Sequence, residues 1–258
     1  MPVNKVVKSF DEAVADVFDG ATILVGGFIS VGGVPSYLLR ALAKRPVKNL
    51  TIVGNSPVLG KEFQKTAART MKVPDWWEDA SILLLNGQVS KLIVSGVSVR
   101  TLGFGRRFPI FAALEEGQNI EIEMVAQGTL AERIRAGRAG IPAFYSPIGV
   151  GTFLQRGKET RSFGDREYLL EYAIKGDFAF IWAYKADRYG NLVYKGTSRN
   201  FNATMAGAAE VTIAEVEELV EVGDLDPETI VTPSLYVDRV VVKPHTGRTL
   251  AMEGQNEC

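Results

Sequence analysis

The sequence predicts an α/β fold, a mainly parallel sheet with helices on both faces. Two features lead there. Short apolar, β-rich runs alternate with helical patterns between residues 21 and 135, the order that strand–helix–strand crossovers impose. The runs at residues 21–25 and 50–53 are also almost continuously apolar, as strands covered on both faces must be.

The elements follow in chain order. Residues 21–25, 50–53, 81–85, 91–94 and 121–125 read as buried strands, and residues 35–44 and 129–135 between them read as helices. Pro35 stands where a helix can begin, because its missing N–H is harmless in a first turn. Later, residues 178–185 and 192–194 read as a hairpin around 186–191, where Asp187, Gly190 and Asn191 are turn formers. Residues 201–210 read as helical. Residues 211–221 alternate apolar and acidic side chains and suit either state, with strand preferred for 211–220. No repeat or low-complexity linker divides the chain, so one domain is expected over residues 1–243. The polar tail at 244–258 is expected to be mobile or to serve an interface.

Composition excludes several functions. The 258 residues carry a net charge of -1 and are 46% hydrophobic, the make-up of a globular protein with a large core. Near-neutral charge argues against nucleic-acid binding, and the basic cluster of Arg133, Arg135 and Arg138 is too small to alter that. The only cysteine, Cys258, can form no intrachain bridge, which suits a reducing compartment. No apolar run follows Lys5 and Lys8 that would make a signal peptide or membrane span, and a cytoplasmic location is expected. With one histidine, His245, the chain offers neither a Ser/His/Asp triad nor a zinc cluster, and it has no phosphate-binding Gly-x-x-x-x-Gly-Lys-Ser/Thr loop. No metal and no permanently bound cofactor are expected.

The most informative segment runs from Asp19 through Gly26-Gly27-Phe28 to Gly32-Gly33-Val34-Pro35. A buried strand enters paired glycines, and a helix begins just beyond. Backbone without Cβ atoms lets a ligand approach closely, and the N–H groups of the turn can face a carboxylate or phosphate. A purely structural turn explains the same residues equally well.

Asp-Gly, a run of apolar residues, Gly-Gly-Phe and a downstream Gly-x-Pro resemble the signature of the A-type chain of the family I coenzyme A transferases. Gln127-Gly128-Thr129-Leu130-Ala131-Glu132-Arg133 resembles that family's second signature, and so in order do Ile141-Pro142-Ala143-Phe144-Tyr145, Lys185-Ala186-Asp187-Arg188, Arg199-Asn200-Phe201-Asn202 and Glu215-Val216-Glu217-Glu218. The series ends with Leu225-Asp226-Pro227-Glu228 and Tyr236-Val237-Asp238-Arg239. Residues 56–105 resemble the family least, and acyl-group choice is expected there, since loops beside a fixed site carry specificity.

The resemblance implies a CoA-transferase-like fold and an enzyme built from two unlike chains, an A-type and a B-type, assembled as one such pair or as two. Coenzyme A is then a substrate, exchanged between an acyl-CoA and a short carboxylic or 3-oxo acid. It implies that the nucleophilic glutamate belongs to the B-type partner, so no residue of this chain is the nucleophile. By position, Asn55 and Gln127 match the family's active-site amides, which would hold an oxyanion or carboxylate, and Gly26, Gly27, Phe28, Gly32 and Gly33 form the glycine loop near substrate. Taken without the resemblance, Asn55 reads as a turn cap and Gln127 as a surface amide. Glu132, Glu215, Glu217 and Glu218 read as solvated carboxylates, and Trp76 and Trp77 as packing rather than a stacking platform. An acyl-CoA hydrolase on the same scaffold, or a non-catalytic effector-binding module, remains open.

Overall fold

A computed structural model describes residues 3–28, 32–63, 73–96 and 108–244. His245, Arg106, Arg107, the polar tail beyond residue 244, and parts of the divergent 56–105 stretch lie outside the described residues.

The main sheet has eight strands, of which the first four are β1 (Thr22–Val25), β2 (Leu50–Gly54), β3 (Val89–Val94) and β4 (Glu121–Met124). A small second sheet takes β5 (Ala143–Ser146), β6 (Thr160–Phe163) and β7 (Arg166–Tyr172), after which the chain returns through β8 (Gly176–Asp187), β9 (Leu192–Val193), β10 (Ala209–Val220) and β11 (Arg239–Val242). The main order is β11-β10-β8-β1-β2-β3-β4, parallel at every step, with β9 added antiparallel to β8. The carboxyl ends of β8, β1, β2, β3 and β4 therefore share one edge.

Both faces are covered. Ile23, Val25 and Ile52 point into one buried cluster with Leu38, Leu42, Leu83 and Ile110, while Leu24, Val53 and Ile93 point into a second with Leu130, Ile134 and Phe201. This period-2 division sends successive residues of one strand to opposite cores, so these strands carry apolar residues at nearly every position. The helices that supply the covers are α1 (Phe10–Ala13), α2 (Ser36–Ala43), α3 (Ser81–Leu85), α4 (Pro109–Glu115), α5 (Gln127–Ala139) and α6 (Asn200–Met205).

Four expectations are corrected. Residues 81–85 form α3 rather than a strand: Asp79 Oδ1 accepts the Ser81 amide at 3.0 Å just ahead of the first turn, and Leu83 and Leu84 donate back to Ala80. A five-residue apolar run has no period of its own to decide between the two states, and three leucines after the Asp79 bond to the Ser81 amide favour the helix. The helical reading of 201–210 holds only to Met205, because the chain turns there and enters β10 at Ala209. Glu215 is not solvated but fully buried. Arg133, read as part of a basic cluster, lies largely buried, donating to Glu123 at 2.6 Å and to the Tyr172 carbonyl at 2.7 Å. The sheet β5-β7-β6, antiparallel throughout, is an element the sequence reading did not anticipate.

Candidate active site

The glycine turn leaves the end of β1, where the Gly26 amide still donates to the Phe180 carbonyl of β8 at 2.9 Å. A Cβ added to Gly26 would stand 1.8 Å from Asn202 Oδ1, so glycine there is required by packing against a buried side chain. Asn202, wholly buried, accepts the Trp182 amide at 2.8 Å and donates from Nδ2 to the carbonyls of Gly33 and Ser198, each at 2.8 Å. One amide thus joins β8, the far side of the glycine turn, and the segment leading into α6. Gly27 has φ +114, a region closed to most side chains, and its Cβ would come within 3.0 Å of Val34 Cγ2. Phe28 is 38% exposed and stacks on Phe201 with ring centroids 6.2 Å apart.

Beside this turn a narrow cavity of about 10 Å³ is lined by Gly26, Gly27, Phe28, Asn55, Trp77 and Asp79, among other described residues. That is space for roughly one water molecule. Asn55 follows β2 directly; its carbonyl accepts the Ser95 and Gly96 amides at 3.0 and 3.1 Å, which fixes its backbone. Its side chain is buried, Nδ2 donates to Ser56 Oγ at 3.1 Å, and Oδ1 has no partner among the described residues. An unpartnered buried amide oxygen costs free energy, and groups held at such a cost cluster at functional sites.

Asp79 is the residue that sequence reading missed. It lines the same cavity and is fully buried, and burial pushes its carboxyl up to about 6. Both of its oxygens are occupied, Oδ2 by the Gly60 amide at 2.8 Å and Oδ1 by Ser81, so its work is to fold the loop below the cavity. An aspartate four residues before a leucine run was the available signal.

Gln127 opens α5 beyond β4, exposed, and is not among the residues lining the cavity. Asn55 and Gln127 therefore stand on the same sheet edge but two strands apart, roughly 10 Å in the hydrogen-bonding direction. Gly32 and Gly33 lie between the turn and α2, with the Gly33 carbonyl held by Asn202. Trp77 packs inside, while Trp76 stacks on Tyr37 at 5.4 Å and carries Lys243 Nζ 4.5 Å from its ring centroid, so both are packing residues. Among the described residues no group of three or more His, Cys, Asp or Glu side chains is arranged to hold a metal ion, and no helix is long and apolar enough to cross a membrane.

A glycine turn and a buried amide at the carboxyl edge of a parallel sheet make this an α/β protein of the kind that binds ligands where its strands end. The chain belongs to the coenzyme A transferase family, whose profile matches residues 7–243. Among curated relatives, the A-type chain of the succinyl-CoA:3-ketoacid coenzyme A transferase of Helicobacter pylori is 42% identical over 238 residues, covering 92% of each chain. The A-type chain of the 3-oxoadipate CoA-transferase of Pseudomonas putida is 42% identical over 241 residues, covering 93% of this chain and 94% of its own. Among solved structures, the acyl-CoA transferase apoenzyme of Escherichia coli O157:H7 superposes with a TM-score of 0.77 at 24% identity, over 96% of this chain. The chain spans about half of that enzyme's length, 48%.

Proposed function

We propose that this chain is the A-type half of a two-chain, cytoplasmic transferase that moves coenzyme A between an acyl-CoA, succinyl-CoA or acetyl-CoA, and a short 3-oxo or carboxylic acid. The B-type partner supplies the nucleophile. Its glutamate attacks the thioester carbonyl and expels the CoA thiolate to give a mixed anhydride; the thiolate then attacks the glutamyl carbonyl, releases the first acid as its carboxylate, and leaves a glutamyl-CoA thioester. The second acid reverses these steps. Each attack raises an oxyanion, and the amides of Asn55 and Gln127 are the donors this chain offers to it.

The observation that carries this reading is the state of the glycine-turn cavity. It presents the Asn55 amide, one of whose two N–H donors is committed to Ser56 Oγ, and among its described lining residues the carboxylate, Asp79, already accepts two backbone amides. A carboxylate so engaged is a poor nucleophile, and a cavity of about 10 Å³ between the described residues is small for an acyl group, which supports a reaction completed by a partner's surface and carboxylate. The test is reconstitution. The purified chain alone should exchange no CoA between succinyl-CoA and acetoacetate, and adding the B-type partner should restore exchange; turnover without any partner sinks the proposal. Release of free CoA without an acceptor acid, at a rate matching or exceeding exchange, would assign a hydrolase instead.

A further inference from the structure

A second cavity, of about 330 Å³, opens between α5 and α6, where Glu132, Arg135, Arg138, Arg199, Asn200 and Thr204 line it. Among the described residues it shares no lining residue with the glycine-turn cavity. Among its described lining residues three guanidiniums face one carboxylate, an excess of two positive charges in a chain whose net charge is -1. Two of the three are held in place. Arg138 Nη1 donates to the Ala203 carbonyl at 2.9 Å while its guanidinium lies 3.8 Å from the Tyr236 ring centroid, and Arg135 Nε donates to Glu132 at 2.9 Å. The Arg199 side chain makes no hydrogen bond or ion pair with any described residue. Like charges gathered at one concavity repel unless an anion lies between them, and planar guanidinium forks suit phosphate oxygens.

The position ties this cavity to the site already described. On α6, Asn200, Ala203 and Thr204 line the cavity at i, i+3 and i+4, while Phe201 stacks on Phe28 and Asn202 holds the Gly33 carbonyl. A helix of six residues is about 9 Å long, so the two cavities flank one short element. We propose that the arginine cavity seats phosphate groups at the nucleotide end of the CoA substrate, with Arg199 as the unengaged donor and Arg135 and Arg138 as fixed flanking charges. The identity of this ligand rests on the transferase reading; its charge does not.

The probe is adenosine 3′,5′-bisphosphate, titrated calorimetrically into the full chain, with inorganic phosphate in parallel. The bisphosphate should bind, and Arg199→Ala should weaken it by roughly 10–100-fold, the usual loss of one charge-assisted hydrogen bond. Glu132→Gln, which removes the opposing charge, should tighten it, an opposite effect that misfolding cannot produce. In the complex with the B-type partner, Arg199→Ala should raise KM for acyl-CoA and leave kcat within about twofold, as loss of uniform binding does. Unchanged affinity and KM in Arg199→Ala, in a complex that turns over normally, overturns the site and leaves the transferase reading intact. Arg199-dependent binding of bisphosphate in a complex without CoA exchange keeps the site and removes that reading. Inorganic phosphate binding as tightly as the bisphosphate overturns the nucleotide assignment.

Discussion

Gly26 and Asn202 form a lock in which each residue explains the other. Because a Cβ at position 26 would overlap Asn202 Oδ1, Gly26→Ala must displace an amide that accepts one backbone bond and donates two others of 2.8 Å. Overpacking of this kind costs about 1–3 kcal/mol, and thermal unfolding of the variant should show that loss; an unchanged midpoint would mean the turn relaxes freely. Gly27→Val is expected to lose stability together with rate, since φ +114 is strained for a β-branched residue whatever ligand approaches. Asn55 is different. Among the described residues its side chain makes one hydrogen bond, 3.1 Å to Ser56, so Asn55→Ala should leave folding nearly intact while lowering kcat by on the order of 10²–10³-fold if it stabilises an oxyanion. Kinetics of the reconstituted complex, with unfolding measured alongside, separates these cases.

At the scale of the element, α3 depends on a residue outside it. The Asp79 carboxyl accepts the buried amides of Gly60 and Ser81 and so joins the loop after β2 to the start of the helix. Asp79→Ala leaves both donors without partners, a penalty partly offset because a desolvated carboxyl is removed as well. A net loss of about 1–3 kcal/mol in denaturant unfolding is expected, and no loss would show that water replaces the carboxyl. The start of α2 is served similarly from a distance: Glu215 Oε2, on β10, accepts the amides of Tyr37 and Leu38 at 2.9 and 3.1 Å. That helix has no side-chain cap of its own, because Pro35 stands at the capping position, and the Glu215 carboxyl oxygen takes over the acceptor role there.

Across the whole molecule these buried carboxyls give stability a pH dependence. Burial pushes Glu215 up to about 8 from an ordinary 4.5, and Asp79 up to about 6 from 3.8. Raised acid values mean that the folded chain holds protons the unfolded chain has released. Their contribution is therefore fully present below the unfolded values and declines as pH rises, for Asp79 between about 4 and 6 and for Glu215 between about 4.5 and 8. Glu215→Gln, which keeps a carbonyl oxygen for the helix amides, should flatten the upper part of that decline in a series of unfolding curves from pH 5 to pH 9. A wild-type curve already flat between pH 6 and pH 8 would mean that Glu215 is ionised throughout.

The alternation of residues 21–135 and the continuously apolar runs of β1 and β2 determined the fold class, because strands covered on both faces need apolar side chains at nearly every position. The ordered series of motifs from Asp19 to Arg239 likewise pointed to the coenzyme A transferase family on its own. What the sequence left open depended on partners distant in the chain. The run at 81–85 became a helix through a short-range bond to Asp79, yet Glu215 could not be recognised as buried without the α2 amides 177 and 178 residues away, nor Gly26 as obligatory without Asn202. The small sheet β5-β7-β6 was unread for the same reason, since only its pairing makes a strand of the exposed residues of β6. Periodicity records which face of an element is covered; it does not record which distant polar group meets it, and that choice belongs to the tertiary structure.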